Sequence, residues 1–384
     1  MRLEGNIVSG SECGYGWVEW SGDQIEAVQI QGPCRSDADW VLPGFIDVHL
    51  HGIFRGDATP EMVNFMAEQA PQSGLTVMCP AMASDSPENM LAFIQKVRDL
   101  MRDPAPGSVK LAGSHLEGPY LDFAHRGGMN EIFLRDVNFD EIRSWLEEAD
   151  NTLKIVTIAP EIPNGLAAVK LLADAGVRVS AGHTAMKVSD VEKFIAAGGS
   201  GICHLFDTFD GRPVENGVSQ VALADEVLVN DELFIELITD GFHVPPALLK
   251  LAVRAAGVDR IIGITDSLCG TGLPDGAFPM TDAGREFVLK NGDVCRLKDD
   301  PAVIVGSCLT QSQAFYNLTE RFRIVNEVDA CKILSTNPAR YLALENQNGR
   351  LQPGFCADIT VLKSDKRSVR ATVINGVGVY SNGD

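Results

Sequence analysis

Trp40-Val41-Leu42-Pro43-Gly44-Phe45-Ile46-Asp47-Val48-His49-Leu50-His51-Gly52 is the stretch on which the fold turns. The run from Trp40 to Asp47 reads as a buried strand that ends in two imidazoles with one residue between them. Alternate residues of a strand point to the same side. His49 and His51 can therefore converge on one point at the strand end, where Gly52 lets the backbone turn away. That is metal-ligand geometry; for the pair taken alone, two hydrogen-bonded surface histidines are the competing reading.

Outward from this stretch the same pattern recurs. Apolar or β-branched runs lie at Leu75 to Pro80, Val109 to His115, Leu153 to Ala159, Val177 to Ala181, Gly201 to Cys203, Leu233 to Thr239 and Arg260 to Thr265. Between them lie amphipathic segments such as 61–72, 87–101, 165–175 and 245–256. This is the alternation of βα units, and with the first run it counts eight, which a (β/α)8 barrel needs. An open doubly wound sheet usually has fewer strands and a Gly-rich phosphate loop; no G-x-G-x-x-G succeeds any of these runs. The ends differ. Residues 1–40 and 350–384 read as short strands with Gly, Asn and Asp turns, expected to build one small β-sandwich module beside a distorted barrel spanning 41–349. Residues 275–305 read as a hairpin insertion after the last barrel strand.

The 384 residues exceed one compact domain, and a barrel with an appended module accounts for them. A formal net charge of -20 argues against nucleic acid or an anionic membrane as partner. No apolar stretch approaches the ~20 residues of a membrane span, and the chain starts without the apolar core of a signal peptide. Nine cysteines without paired spacing fit reduced thiols in a cytoplasm.

Active sites of such barrels lie at the C-terminal strand ends, so the residues at the end of each run decide the chemistry. The first run gives His49 and His51, the third Glu117, the fifth His183 and the sixth His204. The seventh gives Asp240 and His243, and the eighth Asp266. Of seven histidines six sit at or just after a strand end, which random scatter would not produce. Four imidazoles and a carboxylate suit one or two borderline divalent ions: zinc first, or iron, manganese or cobalt. Such an ion makes water a nucleophile near neutral pH, and Asp266 can take its proton and return it to a leaving group. This describes a hydrolase for carbonyl compounds, amides above all. Other residues read as structural: His115 as a satisfied core or supporting histidine, His125 as a loop residue, Cys79 as a small buried thiol. Asp240 orients a histidine or caps the helix beginning near Pro245.

The motifs resemble those of the amidohydrolase superfamily and, within it, the N-acetylglucosamine-6-phosphate deacetylases. They include 43–52, Leu116-Glu117-Gly118-Pro119, Ser180-Ala181-Gly182-His183, His204-Leu205-Phe206, Thr239-Asp240-Gly241-Phe242-His243, Ile264-Thr265-Asp266 and Gly306-Ser307-Cys308-Leu309-Thr310. The resemblance implies Glu117, His183 and His204 as principal metal ligands, His49 and His51 as the pair for a second metal, and Asp266 as the catalytic carboxylate. It also implies substrate contacts at His243, Arg212 and the Val305-Gly306-Ser307 loop, and further ones at Gly128, Met129, Asp207 and Thr208. The same resemblance implies a small amino sugar as partner and a homodimer. The strand-four end, Ala159-Pro160-Glu161, offers no lysine to bridge two metals, which leaves Glu117 as the bridging carboxylate.

Two positions depart from the pattern. Met129 stands where relatives often place a polar residue, and Asp207-Thr208-Phe209 where many have Asn-Ala-Met. Asp207 beside a phosphate dianion would cost on the order of 1 kcal/mol or more, so the departure bears on the 6-phosphate and not on deacetylation. A deacetylase for a different, unphosphorylated N-acyl amino sugar or amine is the alternative. A binding protein on this fold is the rival from another class, and the complete ligand set speaks against it.

Overall fold

The run from Trp40 onward forms two strands instead of one, and the break falls at Gly44. In the computed structural model, which describes residues 1–280 and 284–383, Trp40–Pro43 belongs to one sheet and Phe45–Leu50 to another. A Cβ at Gly44 would meet Thr76 Oγ1 at 2.2 Å, and the Gly44 N–H turns away to donate to the Asp358 carbonyl at 2.9 Å. The sequence stays apolar across the break because both sheets bury these residues completely.

The barrel strands are β1 (Phe45–Leu50), β2 (Leu75–Ala83), β3 (Ser114–Glu117), β4 (Leu153–Ile158), β5 (Arg178–Ala181), β6 (Gly199–Ile202), β7 (Phe234–Ile238) and β8 (Ile261–Ile264). They pair in that order, each parallel to the next. The seam between β8 and β1 closes just past the strand ends. There the Asp266 N–H donates to the His49 carbonyl at 2.9 Å, and the His51 and Gly52 N–H groups donate to the Ser267 carbonyl at 2.9 and 2.8 Å. The closure that completes the barrel thus also sets Asp266 beside the two histidines. Strands buried on both faces read as unbroken apolar runs, which is why the sequence displays them. The expected third strand is interrupted at Gly113, whose φ of 149° and close approach to the Thr152 carbonyl (2.3 Å for a Cβ) break the ladder.

Helices cover the outside. Pro87–Arg102 starts at Ser86, whose side chain accepts the Asn89 N–H, and buries Met90, Phe93, Ile94 and Val97, the spacing of one helical face. Both chain ends build a seven-stranded sheet in the order 377–381, 369–374, 359–362, 40–43, 2–9, 12–21, 24–32. Only Arg2–Ser9 and Trp40–Pro43 pair parallel in it, and Trp40–Pro43 leads directly into β1. After β8 the strands Gly276–Pro279, Glu286–Leu289, Cys295–Leu297 and Ile304–Gly306 form an antiparallel meander. Residues 281–283 of that insertion and residue 384 lie outside the described residues. Among the described residues no helix is long and apolar enough to cross a membrane.

Candidate active site

Glu117 ends β3 with its carboxylate among four imidazoles. Its Oε1 lies 3.0 Å from His204 Nε2, 3.2 Å from His183 Nε2 and 3.3 Å from His49 Nε2, and its Oε2 lies 3.1 Å from His51 Nε2. The His183 and His204 Nε2 atoms are themselves 3.2 Å apart. All five side chains are buried except His51, which is 13% exposed.

The far nitrogens show which way these rings face. His51 Nδ1 lies 2.7 Å from the Ala81 carbonyl and His183 Nδ1 3.0 Å from the His125 carbonyl. A carbonyl only accepts, so each Nδ1 carries the proton and each Nε2 can point a lone pair inward. His49 Nδ1 lies 3.0 Å from Glu236 Oε2 to the same effect. Lone pairs aimed at a carboxylate repel unless a cation or protons lie between. Ligand atoms about 2.1 Å from a tetrahedral ion stand about 3.4 Å apart, close to the separations seen here. The donor set therefore fits a divalent ion. The titration directions show the same demand for positive charge. Burial pulls the His51 pKa down, but hydrogen bonds with Asp266 and Glu117 outweigh it and lift it to about 9. Burial pushes Glu117 up, and the His49 charge with hydrogen bonds from His183, His204 and His49 outweighs that, holding it well below the usual carboxylate range.

Asp266 lies just past β8, with Oδ1 3.2 Å from His51 Nε2 and 3.6 Å from His49 Nε2. Burial raises its pKa, but the His51 hydrogen bond and the nearby imidazole charges outweigh burial, so it stays a carboxylate. The Ser307 N–H donates to the Asp266 carbonyl at 2.8 Å. Gly306 has φ 145°, and a Cβ there would meet that carbonyl at 2.9 Å, so the loop hugs Asp266 only with glycine at 306. Asp266, His183 and His204 have φ of 49°, 49° and 23°. The left-handed region is costly for residues other than glycine, and three residues of the site occupy it immediately beyond their strands. Glu161, at the end of β4, holds the turn after His183 by accepting from the Ala185 N–H at 2.6 Å and from the Thr184 hydroxyl.

The site opens into a cleft of about 390 Å³. His51, Glu117, His183, His204 and Asp266 line its floor; Gly128, Met129, Asp207, Thr208, Val305 and Gly306 line its walls, with Phe287 and Met280 from the meander. Ser307 lies behind the wall, buried and donating to the Thr265 carbonyl. Two further expected substrate contacts, Arg212 and His243, also stand apart from the lining. Arg212 is half exposed and pairs with Asp225. His243 is buried, with Nδ1 2.6 Å from Asp240 Oδ2 and no partner at Nε2 among the described residues. Asp240 also accepts the Phe242 and His243 N–H groups at 2.8 and 3.0 Å, so it orients His243 within a local turn. It does not cap the helix that follows, whose N-cap position is Pro245 with no side-chain hydrogen bond. His115 has both nitrogens satisfied, by the Val48 carbonyl and Thr157. Two groups escaped the sequence reading. Asp57 lines the cleft, with burial lifting its pKa to about 7. Glu236 sits behind His49, and its signal was a single charge inside the apolar run 233–239.

A model of the amidohydrolase family matches residues 40–379. The chain belongs to the amidohydrolase family. This amidohydrolase is 30% identical over 345 residues to the N-acetylglucosamine-6-phosphate deacetylase of Bacillus subtilis (strain 168), covering 88% of this chain and 83% of that protein. It is 28% identical over 344 residues to the N-acetylgalactosamine-6-phosphate deacetylase of Escherichia coli O157:H7, covering 88% of each. Its fold matches the N-acetylglucosamine-6-phosphate deacetylase of Thermotoga maritima with a TM-score of 0.87 at 28% identity, over all of both chains. It also matches an Asp-to-Ala variant of the Mycobacterium smegmatis enzyme in complex with N-acetyl-D-glucosamine-6-phosphate, with a TM-score of 0.88 at 29% identity over 99% of each chain. Amidohydrolases depend on metal, and this one has the residues to hold it.

Proposed function

We propose that this amidohydrolase hydrolyses the N-acetyl group of N-acetylglucosamine 6-phosphate, giving glucosamine 6-phosphate and acetate. The observation that carries the reading is the convergence of His183, His204, His49 and His51 on Glu117, with Asp266 alongside; all but the fully buried His49 lie at the floor of a cleft. Glu117, His183 and His204 would hold a first divalent ion and His49 and His51 a second, zinc being the ion of first choice and iron, manganese or cobalt suiting the same donors. Such an ion supplies Lewis acidity toward the acetyl carbonyl and toward water. Asp266 accepts a proton from the attacking water and returns it to the amide nitrogen as the C–N bond breaks. The walls at Gly128, Met129, Asp207, Thr208, Val305 and Gly306 hold the sugar and keep bulk water out, and Ser307 braces that loop.

His243 and Arg212 are assigned to the phosphate end. Burial lowers the His243 pKa, but the Asp240 hydrogen bond outweighs it and raises it. The ring is thereby favoured as a cation whose Nε2–H can donate to a phosphate. In this reading the barrel, 41–349, does the chemistry, and the module from 1–40 and 350–384 supports β1. The exposed Val214, Val218 and Val221 around a small hairpin support a homodimer, and nine free cysteines support a reducing cytoplasm.

The test is kcat/KM for acetate release from N-acetylglucosamine 6-phosphate, unphosphorylated N-acetylglucosamine and the epimer N-acetylgalactosamine 6-phosphate. A preference of about 100-fold for the first, or about 2.7 kcal/mol, is expected. Equal rates on all three would move the substrate to other N-acyl amines.

A further inference from the structure

We infer that Glu236 is a positioning residue for His49, fixing that ring so that Nε2 faces the metal centre. The inference rests on the assignment of His49 as a ligand. Glu236 lies in the middle of β7 between Ile235 and Leu237, 1% exposed. Its Oε2 is 3.0 Å from His49 Nδ1, and its Oε1 has no hydrogen-bond partner among the described residues. Cys203 Sγ completes the surroundings, 3.6 Å from His49 Nδ1 and 3.7 Å from Glu117 Oε1. Glu236 and His204 are also joined through the backbone, since the Leu205 N–H donates to the Glu236 carbonyl at 2.9 Å.

His51 and His183 have their tautomers fixed by neutral carbonyls. His49 has a carboxylate in that place. A carbonyl sets the tautomer and ring orientation; a carboxylate does so and also makes the imidazole a stronger donor at its other nitrogen. A buried carboxylate with one hydrogen bond is costly unless positive charge lies near. Across the imidazole from Glu236 is the cluster that calls for a cation, so the two charges compensate through the ring. His49 is thereby the most strongly donating histidine of the set.

The experiment is a zinc titration of metal-depleted protein by competition with a chelator, paired with thermal melting of the same metal-free protein. Glu236→Gln keeps the shape and removes the charge. It should weaken zinc binding about 10- to 100-fold and leave the metal-free melting temperature equal to or above that of wild type, because the Gln oxygen still accepts the His49 Nδ1–H hydrogen bond while a buried charge has gone. In a His49→Asn background, Glu236→Gln should change zinc affinity no further, because the two residues act as one unit. Three results would overturn the inference. If Glu236→Gln binds zinc like wild type while His49→Asn does not, His49 remains a ligand and Glu236 is idle. If both bind like wild type, the ligand assignment fails as well. If Glu236→Gln fails to fold or lowers the metal-free melting temperature, the role is packing.

Discussion

Replacing Asp266 by Asn removes one proton acceptor and one negative charge and leaves the side-chain shape. The backbone there has φ 49°, a conformation that Asp and Asn tolerate better than other non-glycine residues. Its amide and carbonyl stay tied to His49 and Ser307. The fold should therefore be unchanged, whereas Asp266→Ala would add about 1 kcal/mol or more of backbone cost and blur the result. Glu117, His183 and His204 are untouched, so metal should be retained. What is lost is general acid–base catalysis, typically worth about 10²- to 10⁴-fold, or about 2.7–5.5 kcal/mol of barrier. The assay is acetate release at saturating substrate, with metal content and substrate binding measured on the same sample. Asp266→Asn should lower kcat by that factor with KM within a few-fold of wild type. A metal-loaded variant turning over within tenfold of wild type would refute the assignment of Asp266 as the proton carrier.

Arg212→Ala should lower kcat/KM for the phosphorylated sugar by about ten- to hundredfold, the worth of a hydrogen bond to a charged group (about 1.5–3 kcal/mol). The unphosphorylated sugar should not respond, and an equal loss on both would remove Arg212 from the phosphate end. Gly306→Val places a side chain 2.9 Å from the Asp266 carbonyl at φ 145°. It should cost about 1–3 kcal/mol in urea unfolding together with a fall in kcat; wild-type stability would show that the loop has room. Burial lowers the His125 pKa, but hydrogen bonds to Asp122 and Asp210 outweigh it and raise it. Because the folded value lies above the unfolded one, this contribution is complete below about pH 6.5 and is lost as pH rises through the folded pKa. Asp210→Asn should lower the His125 midpoint in an NMR titration, and an unmoved midpoint would contradict the pairing.

The barrel was legible because most of its strands are buried on both sides, so they appear as apolar runs alternating with helix-period segments. Legibility failed where apolarity continued through a change of partner. Gly44 divides one run between two sheets, and the close approach of Thr76, with the turn of the Gly44 N–H to the Asp358 carbonyl, explains why. At the site, the residues just beyond strand ends could be read because the barrel places such residues in one cleft. Glu236 could not be placed that way, since it sits inside a strand and behind His49. The left-handed backbone of His183, His204 and Asp266 was equally hidden, because local propensity argues against it and only the closed barrel holds it. Arg212 lies on an exposed segment whose path no periodicity encodes, and it pairs with Asp225 outside the cleft lining, so its place relative to the cleft was not fixed by spacing.

Metal-dependent deacetylation is decided by acetate release from N-acetylglucosamine 6-phosphate, measured on the same protein after chelator stripping and after reloading with zinc. Turnover should vanish on stripping and return in proportion to the zinc bound. Undiminished turnover by the stripped protein, or none by the reloaded one, would contradict a metal-dependent deacetylase built on Glu117, His183 and His204.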